Sequence, residues 1–270
     1  MRKPLFDLSK WYMDCISRDG DAVVAYAADL RWRKLAVAYE SVLEVRGAGA
    51  PASRSSIKPH ADPVVGGPLV SWRSASLGVD ARWRSSATLV RETIYQSQAG
   101  SVEWSCVVPA GAARIRTRTG ETDGHGYVEH LRLTVAPWRL PIATLRWGRI
   151  SAEDESIVWI QWAGRFEATF VYDSGTRVAA ASLGDDHLDF ADGTAIALDR
   201  GRVIRQAVLG TTIGASVPAL RRFGPARMLA VEECKWLSRA TVKRPGCPAK
   251  DTWALHELVT WPTTPRRRSA

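Results

Sequence analysis

The sequence predicts an all-β protein whose antiparallel strands form barrels or sandwiches. Short runs that alternate apolar and polar residues recur at a spacing of roughly ten residues. Turn sequences rich in glycine and aspartate, such as Arg18-Asp19-Gly20-Asp21, separate several of these runs. Stretches with helical periodicity are nearly absent. Repeated short strands joined by such turns are typical of antiparallel barrels and sandwiches.

The clearest strand predictions follow the order of the chain and span residues 22–30, 35–45, 102–108, 126–135, 156–162, 165–172, 177–183 and 253–261. Residues 47–68 are rich in Gly, Ala, Ser and Pro, so we predict a long loop there. Loops of this length in compact domains are often functional lids, or else disordered. The best helix candidate, residues 217–223, is short and ends at Gly224-Pro225.

The length of 270 residues fits one large domain or two small ones, at roughly 150 residues per domain. A break in composition occurs at Pro137-Trp138-Arg139-Leu140-Pro141, where two prolines bracket a tryptophan. We therefore predict an N-terminal domain over residues 1–135 and a C-terminal domain over 136–262. Residues 263–270 are expected to be a disordered basic tail.

The formal net charge of +9 raises the question of an anionic partner. The arginines are spread along the chain, and their one tight run, Arg266-Arg267-Arg268, lies in the tail. Interleaved Arg and Trp residues can bind single strands of nucleic acid, but here the pairs are scattered over many predicted strands. We therefore expect no nucleic-acid partner. The oligomeric state is left open.

Cysteine spacing and hydropathy bear on the location of the protein. None of the four cysteines forms a C-x-x-C pair, which disfavours a zinc or redox site. The first ten residues lack the apolar stretch of a signal peptide, and no run reaches the roughly 18 apolar residues of a membrane span. We expect a soluble, reduced, cytoplasmic protein without a membrane span.

The strand that follows Gly124-His125-Gly126 carries the most informative residue. Successive strand residues point to opposite faces, so Tyr127, Glu129 and Leu131 share a face that is otherwise apolar. A carboxylate among apolar neighbours is costly to ionise, and its pKa rises. Glu129 is therefore a candidate general acid. The alternative is a structural carboxylate in an ion pair, which the many arginines make plausible.

Four other titratable residues bear on this site. His130 points to the opposite, polar face unless a β-bulge follows the glycines. His125 shares a face with Glu129, but no third ligand is visible, so we expect no metal there. Glu257 lies among Trp253, Leu255 and Val259, and Glu40 among alanines and a valine, so both could be buried carboxylates of a binding site or of a core.

Several short motifs resemble the carotenoid hydratase (hydroxyneurosporene synthase) family. Trp11-Tyr12-x-Asp14, followed by Arg18-Asp19-Gly20, is similar to its opening motif. Gly124-x-Gly126-Tyr127-x-Glu129-His130 is similar to its second motif, and Trp147-Gly148-Arg149 fits the same region. The sequence differs at Lys10, where the family has tryptophan, and at Glu129, where it has aspartate.

This resemblance implies two lipocalin-like β-barrels in tandem. The relatives include carotenoid hydratases and fungal Diels–Alderase-like cyclases, which act on large apolar molecules without a redox cofactor. We therefore expect no cofactor and a hydrophobic small-molecule substrate, such as a terpenoid or a polyketide.

The expected activity is acid/base catalysis by an isomerase, a cyclase or a hydratase-lyase. Glu129 would donate a proton, Asp14 or His130 would accept one or position water, and Tyr127 would donate a hydrogen bond to a developing oxyanion. Tryptophans of the motif region would shape an apolar pocket. The residues expected to contact the substrate are Trp11, His125, Trp138, Trp147, Arg149, Glu40 and Glu257. The alternative is a non-catalytic carrier of an apolar ligand.

Overall fold

A computed structural model of the protein describes residues 5–152, 155–199, 201–211 and 224–262. The first ten strands are β1 (Phe6–Ile16), β2 (Ala22–Trp32), β3 (Leu35–Val45), β4 (Ala52–Ser56), β5 (Val64–Gly66), β6 (Leu69–Ser74), β7 (Val79–Ser85), β8 (Val90–Ser97), β9 (Gly100–Thr117) and β10 (Gly120–Leu133). A 3₁₀ turn at Pro137–Arg139 leads into the second half of the chain.

The second half repeats this organisation. Its strands are β11 (Ile142–Ser151), β12 (Ser156–Gly164), β13 (Ala168–Asp173), β14 (Thr176–Val178), β15 (Ala180–Leu183), β16 (His187–Phe190), β17 (Ala195–Leu198), β18 (Arg202–Val208), β19 (Glu232–Lys243) and β20 (Lys250–Thr260). A short helix, α1 (Ala226–Leu229), precedes β19. The predicted helix at 217–223 and the predicted tail at 263–270 lie outside the described residues.

The two halves have the same strand order. The first sheet runs β4-β3-β2-β1-β10-β9-β7-β6-β5, and β8 also pairs with β9. The second runs β14-β13-β12-β11-β20-β19-β17-β16-β15, and β18 also pairs with β19. Each strand of the second sheet therefore corresponds to the strand ten places earlier. The prediction of two tandem antiparallel barrels is confirmed. We call them the first and the second barrel.

Three apolar cores hold the fold together. One fills the first barrel around Trp72 and Trp83, and one fills the second around Trp159. The third and largest lies between the barrels and includes Tyr12, Trp104 and Trp147. A strand that is covered on both faces has a continuous run of apolar residues. Residues 22–27 of β2 form such a run, and all six are buried. The side-chain alternation of β1 and β10 consequently divides their residues between a barrel interior and the space between the barrels.

The structure corrects the prediction for residues 47–68, which are not a structureless loop. They contain β4, which pairs with β3, and β5, which pairs with β6. Both strands lie at the ends of the sheet order and bury little surface, so β4 consists mostly of small and polar residues and the two valines of β5 are exposed. The described helices are a few residues each, too short for any of them to traverse a bilayer.

Candidate active site

Glu129 lies in the core between the barrels, where three donors converge on one of its oxygens. Oε2 accepts hydrogen bonds from Trp104 Nε1 at 2.6 Å, from the Tyr127 hydroxyl at 2.7 Å and from Trp147 Nε1 at 3.2 Å. Trp104 and Tyr127 belong to the first barrel, and Trp147 belongs to the second. The face predicted for Glu129 and Tyr127 is therefore the face that the second barrel covers.

Burial and hydrogen bonding act in opposite directions on the pKa of this carboxyl. Burial raises the pKa of Glu129 above its usual value, while the hydrogen bonds from Trp104 and Tyr127 act in the opposite direction. The charge of Lys10 also favours the ionised form. The hydroxyl of Tyr127 has a raised pKa for the same reason, its complete burial. The site can thus hold a proton on Glu129, and the same donors stabilise the carboxylate after the proton leaves.

Asp14 of β1 and Arg149 of β11 form a second polar contact across the interface between the barrels. Both side chains are fully buried, and the guanidinium binds the two carboxylate oxygens, with Nε 3.1 Å from Oδ2. Burial raises the pKa of Asp14, and the charge and hydrogen bonds of Arg149 oppose that shift. Both oxygens are occupied by one guanidinium, so the geometry favours a structural link between the barrels over a free catalytic base.

Glu257 is the counterpart of Glu129 in the second barrel. Glu129 pairs with Tyr12 of β1, and Glu257 pairs with Trp147 of β11. Glu257 forms an ion pair with Lys235, whose side chain is fully buried. Burial alone would raise the pKa of Glu257, but the charge of Lys235 and its hydrogen bond lower it. The two equivalent carboxyls therefore have pKa shifts of opposite sign.

Lys235 also connects the polar groups to the aromatic ones. Its Nζ lies 5.1 Å from the ring centre of Tyr12 and 5.0 Å from that of Trp147, within the range of cation–π contacts. Burial alone would lower the pKa of Lys235, but Glu257 raises it overall. The lysine is therefore a fixed positive charge, not an amine nucleophile.

A cavity of about 230 Å³ opens between the barrels beside this network. Most of its wall is apolar. From the first barrel and the linker it is lined by Phe6, Leu8, Lys10, Tyr26, Ala28, Leu30, Val37, Tyr39 and Pro137, and from the second half by Arg205, Leu209, Met228 and Glu233.

Charged groups of this wall gather around Tyr26. Lys10 Nζ lies 4.9 Å from the centre of the Tyr26 ring, and the Arg205 guanidinium lies 5.8 Å from it. Arg205 Nε is 3.5 Å from Glu233 Oε1. Burial raises the pKa of the Tyr26 hydroxyl, so the phenol stays protonated. The cavity therefore combines an apolar body with a cationic end, a combination suited to an apolar ligand that carries an oxygen function.

Glu129 does not line this cavity. Leu8 and Lys10 of β1 line the cavity. Tyr12, which pairs with Glu129, is the next residue of β1 whose side chain points to the same face. Lys10 joins the two regions, because its side chain forms part of the wall and its charge acts on both Glu129 and Glu257.

His130 and Trp11 lie on the other face of their strands, inside the first barrel. Their rings are 4.5 Å apart, and Ser9 Oγ lies 2.8 Å from His130 Nε2. Burial lowers the pKa of His130, while Asp62 opposes that shift. The register of β1, β2 and β3 places Glu40 on this interior face too, because Trp11 pairs with Ala27 and Ala27 with Glu40. The strand alternation predicted for Glu129 and His130 thus holds, and the expected convergence of His130, Trp11 and Glu40 with Glu129 is not found.

Two further predicted contact residues are also placed apart from Glu129. His125 lines a polar groove at the opposite end of the interface, together with Arg18 and Asp251. Trp138 packs edge-on against Phe6 at 5.4 Å and against Trp32 at 5.0 Å, next to Pro137 of the cavity wall. Tyr127 and Trp147 do bind Glu129, the charge of Glu257 acts on it, and the Asp14–Arg149 pair lies at the same interface.

Sequence reasoning missed Lys235, Trp104 and the charged groups of the cavity wall. Lys235 alternates with Glu233, Leu237 and Arg239, a mixed pattern that indicates an exposed face. Trp104 shares an apolar strand face with Val102 and Cys106, and nothing in the sequence distinguishes it from the other tryptophans. The sequence did draw attention to Lys10, because this lysine stands where the opening motif of the carotenoid hydratase family has tryptophan.

Two antiparallel barrels that enclose a cavity at their interface define a tandem lipocalin-like β-barrel protein. The structure is similar to that of CghA with Sch210972, with a TM-score of 0.57, 11% identity and coverage of 94% of this chain and 88% of that one. It is also similar to kievitone hydratase from Nectria haematococca, with a TM-score of 0.54, 9% identity and coverage of 93% and 88%. These similarities confirm the predicted resemblance in fold alone. Neither a family model nor a curated protein matches the sequence.

Proposed function

We propose that the protein is an enzyme that performs acid/base chemistry on a hydrophobic small molecule held between the barrels. The reaction classes are isomerisation, cyclisation, and addition or elimination of water, on a terpenoid, a polyketide or a similar molecule, without a redox cofactor. The observation that carries the proposal is Glu129, a buried carboxyl with a raised pKa and three converging donors, beside an apolar cavity. The fold shared with a hydratase supports the same class.

Glu129 would act as the general acid. The three hydrogen bonds end on Oε2, so Oε1 is the oxygen that would carry the transferable proton. Loss of the proton leaves a carboxylate that Trp104, Tyr127 and Trp147 already solvate, so little reorganisation accompanies the transfer. One placed acid of this kind contributes roughly two to four decades of rate.

The cavity would hold the apolar body of the substrate. Leu8, Ala28 and Leu30 would contact it from the first barrel, and Met228 from the second half. Lys10 and Arg205 would attract an oxygen-bearing end toward Tyr26. A substrate anchored there would extend past Lys10 toward Tyr12 and Glu129.

The second candidate function is that of a carrier, favoured by the observation that Glu129 is absent from the cavity wall. In a carrier the buried groups between the barrels would be structural, and the cavity alone would bind the ligand. The two candidates differ in whether the protein exchanges protons with its ligand.

Solvent deuterium distinguishes the two candidates. Small molecules extracted from the purified protein are identified by mass spectrometry and then incubated with fresh protein in D₂O. An enzyme that protonates carbon adds about one deuterium per molecule formed, and Glu129→Gln slows this incorporation by at least about a hundredfold. The exposed Glu103 offers the control Glu103→Gln, which is expected to behave as wild type. Unlabelled ligand after incubation with the wild-type protein would favour the carrier.

A further inference from the structure

We propose that the first barrel carries a divalent-cation site formed by Asp29, His60 and Asp62, suited to zinc. The site is independent of Glu129 and of the cavity between the barrels. Asp29 lies on β2, and the other two residues lie in the connection between β4 and β5. One ligand atom from each of the three side chains lies within 4.8 Å of the other two.

His60 supplies the first argument for a bound ion. Its side chain is only 2% exposed, and neither ring nitrogen has a hydrogen-bond partner in the part of the chain that the structure describes. Buried polar atoms are nearly always satisfied, so an imidazole with both nitrogens free calls for a ligand. Its Nε2 faces Asp29 Oδ2.

The separation of these two atoms fits a shared cation. His60 Nε2 and Asp29 Oδ2 are 3.8 Å apart, which is too long for a hydrogen bond. Two ligands bound at about 2.1 Å to one tetrahedral zinc ion lie about 3.4 Å apart. A small adjustment of the Asp29 side chain, which is half exposed, brings the pair to that distance.

The segment that carries His60 and Asp62 is held in place. The indole Nε1 of Trp72, whose side chain is buried in the first barrel, donates a hydrogen bond to the carbonyl of Ala61 at 3.1 Å. Ala61 is the residue between the two ligands. The backbone is therefore fixed at the point from which both side chains project, as a preformed site requires.

Negative charge accumulates in the same region of the first barrel. Asp29 pairs with Ala38 of β3, and Glu40 lies two residues farther along β3 on the same face. Glu40 is buried, and its Oε2 has no hydrogen-bond partner among the described residues. Neither Asp62 nor Glu40 forms an ion pair with a lysine or an arginine of the described residues. A divalent cation would balance this charge.

The donor set identifies the class of cation. One imidazole and two carboxylates suit zinc or a similar transition metal, whereas magnesium prefers oxygen ligands and keeps most of its water. Because Asp62 is exposed, water can complete the coordination. The ion would tie the connection between β4 and β5 to β2 at the opening of the first barrel.

Isothermal titration calorimetry with zinc chloride tests the proposal on the full-length, untagged protein after treatment with EDTA and dialysis. We expect one zinc ion per chain and much weaker binding of magnesium. Replacing an outer-shell partner of a metal ligand costs about 10–100-fold in affinity, so His60→Gln should weaken zinc binding at least about a hundredfold. His187→Gln is the matched control, because His187 is an exposed histidine 2.9 Å from Asp186, and it should bind as wild type does.

The exposed Cys247 and the half-exposed Cys234 are a competing source of zinc affinity. A variant with both cysteines changed to serine should therefore retain the binding. If His60→Gln does not fold, Asp62→Asn, at an exposed position, must weaken binding by at least about tenfold. The proposal is overturned if wild-type protein does not bind zinc at about millimolar concentration, if both ligand variants bind as wild type does, or if binding disappears with the cysteines.

Discussion

Asp14 of the first barrel and Arg149 of the second form a fully buried, two-pronged ion pair across the interface between the barrels. Asp14→Asn leaves the guanidinium without its counter-charge, so we expect the free energy of unfolding to fall by about 3–5 kcal/mol. Urea denaturation followed by tryptophan fluorescence measures the loss. The double variant Asp14→Leu/Arg149→Met, which removes both charges, should lose less.

The exposed pair Arg73–Asp80 provides the comparison for this measurement. Arg73 Nε and Asp80 Oδ2 are 3.0 Å apart, and the two side chains are 71% and 42% exposed. Asp80→Asn should therefore cost less than about 1 kcal/mol. Equal losses for Asp14→Asn and Asp80→Asn would contradict a special role for the buried pair.

Glu129 makes stability depend on pH in a predictable direction. Burial raises its pKa in the folded protein, so folding favours the protonated form. This contribution is fully present below the ordinary pKa of about 4.3 and is lost as the pH rises through the folded pKa. Between the two values, the unfolding free energy of wild type should fall relative to Glu129→Gln by about 1.4 kcal/mol per pH unit. Denaturation curves of both proteins across acidic and neutral pH measure it, and a relative stability that rises with pH would contradict the assignment.

Filling the cavity should abolish ligand binding without unfolding the protein. Ala28 lines the cavity on β2, and Ala28→Phe would occupy much of its roughly 230 Å³. We expect the affinity for the extracted ligand to fall at least about tenfold, or about 1.4 kcal/mol. Titration of the ligand with each variant measures this. Ala99→Phe, in an exposed turn, is the control, and an unchanged affinity of Ala28→Phe would place the ligand elsewhere.

Gly126 is required by packing. A Cβ atom there would lie 2.3 Å from the Ala113 Cβ and 2.5 Å from Trp83 Cδ1. Trp83 is fully buried and donates a hydrogen bond to the carbonyl of Asp14 at 2.8 Å, so it has little room to move. Gly126→Ala should therefore cost about 1–3 kcal/mol in thermal or urea unfolding. Gly66→Ala, where an added Cβ meets no atom within 4 Å, should be nearly neutral, and the idea fails if both variants behave alike.

Local pattern was enough to predict the fold class and the orientation of the central strand. Leu35–Val45 is predicted and observed with the same bounds, and the alternation of Tyr127, Glu129 and His130 is the one found. The strands β4 and β5 escaped prediction because β4 consists mostly of small and polar residues and β5 is only three exposed residues long, so neither carries an alternating hydrophobic pattern. The division into domains at residue 135 remains a prediction.

Only part of the candidate site could be predicted from the sequence. Glu129 and Tyr127 could be assigned to one face, but nothing local indicates that Trp147 and Arg149, in the second half of the chain, cover that face. Lys235 looked exposed because its strand alternates polar residues, and only the packing of the barrels buries it. Asp29 on β2 and His60 in the connection between β4 and β5 are 31 positions apart, so their proximity depends on sheet register.

The repeated strand order gives the Asp14–Arg149 pair a meaning beyond stability. Asp14 follows Tyr12, the partner of Glu129, by two residues, and Arg149 follows Trp147, the partner of Glu257, by two residues, so the two members of the ion pair occupy equivalent strand positions of the two halves. If two identical barrels made this same contact in a symmetric homodimer, the residue would face its own copy, so that two aspartates or two arginines would meet. Opposite charges at this contact therefore require that the two halves differ in sequence. Two halves of different sequence therefore place glutamates whose pKa shifts have opposite signs at equivalent positions of the same strand order.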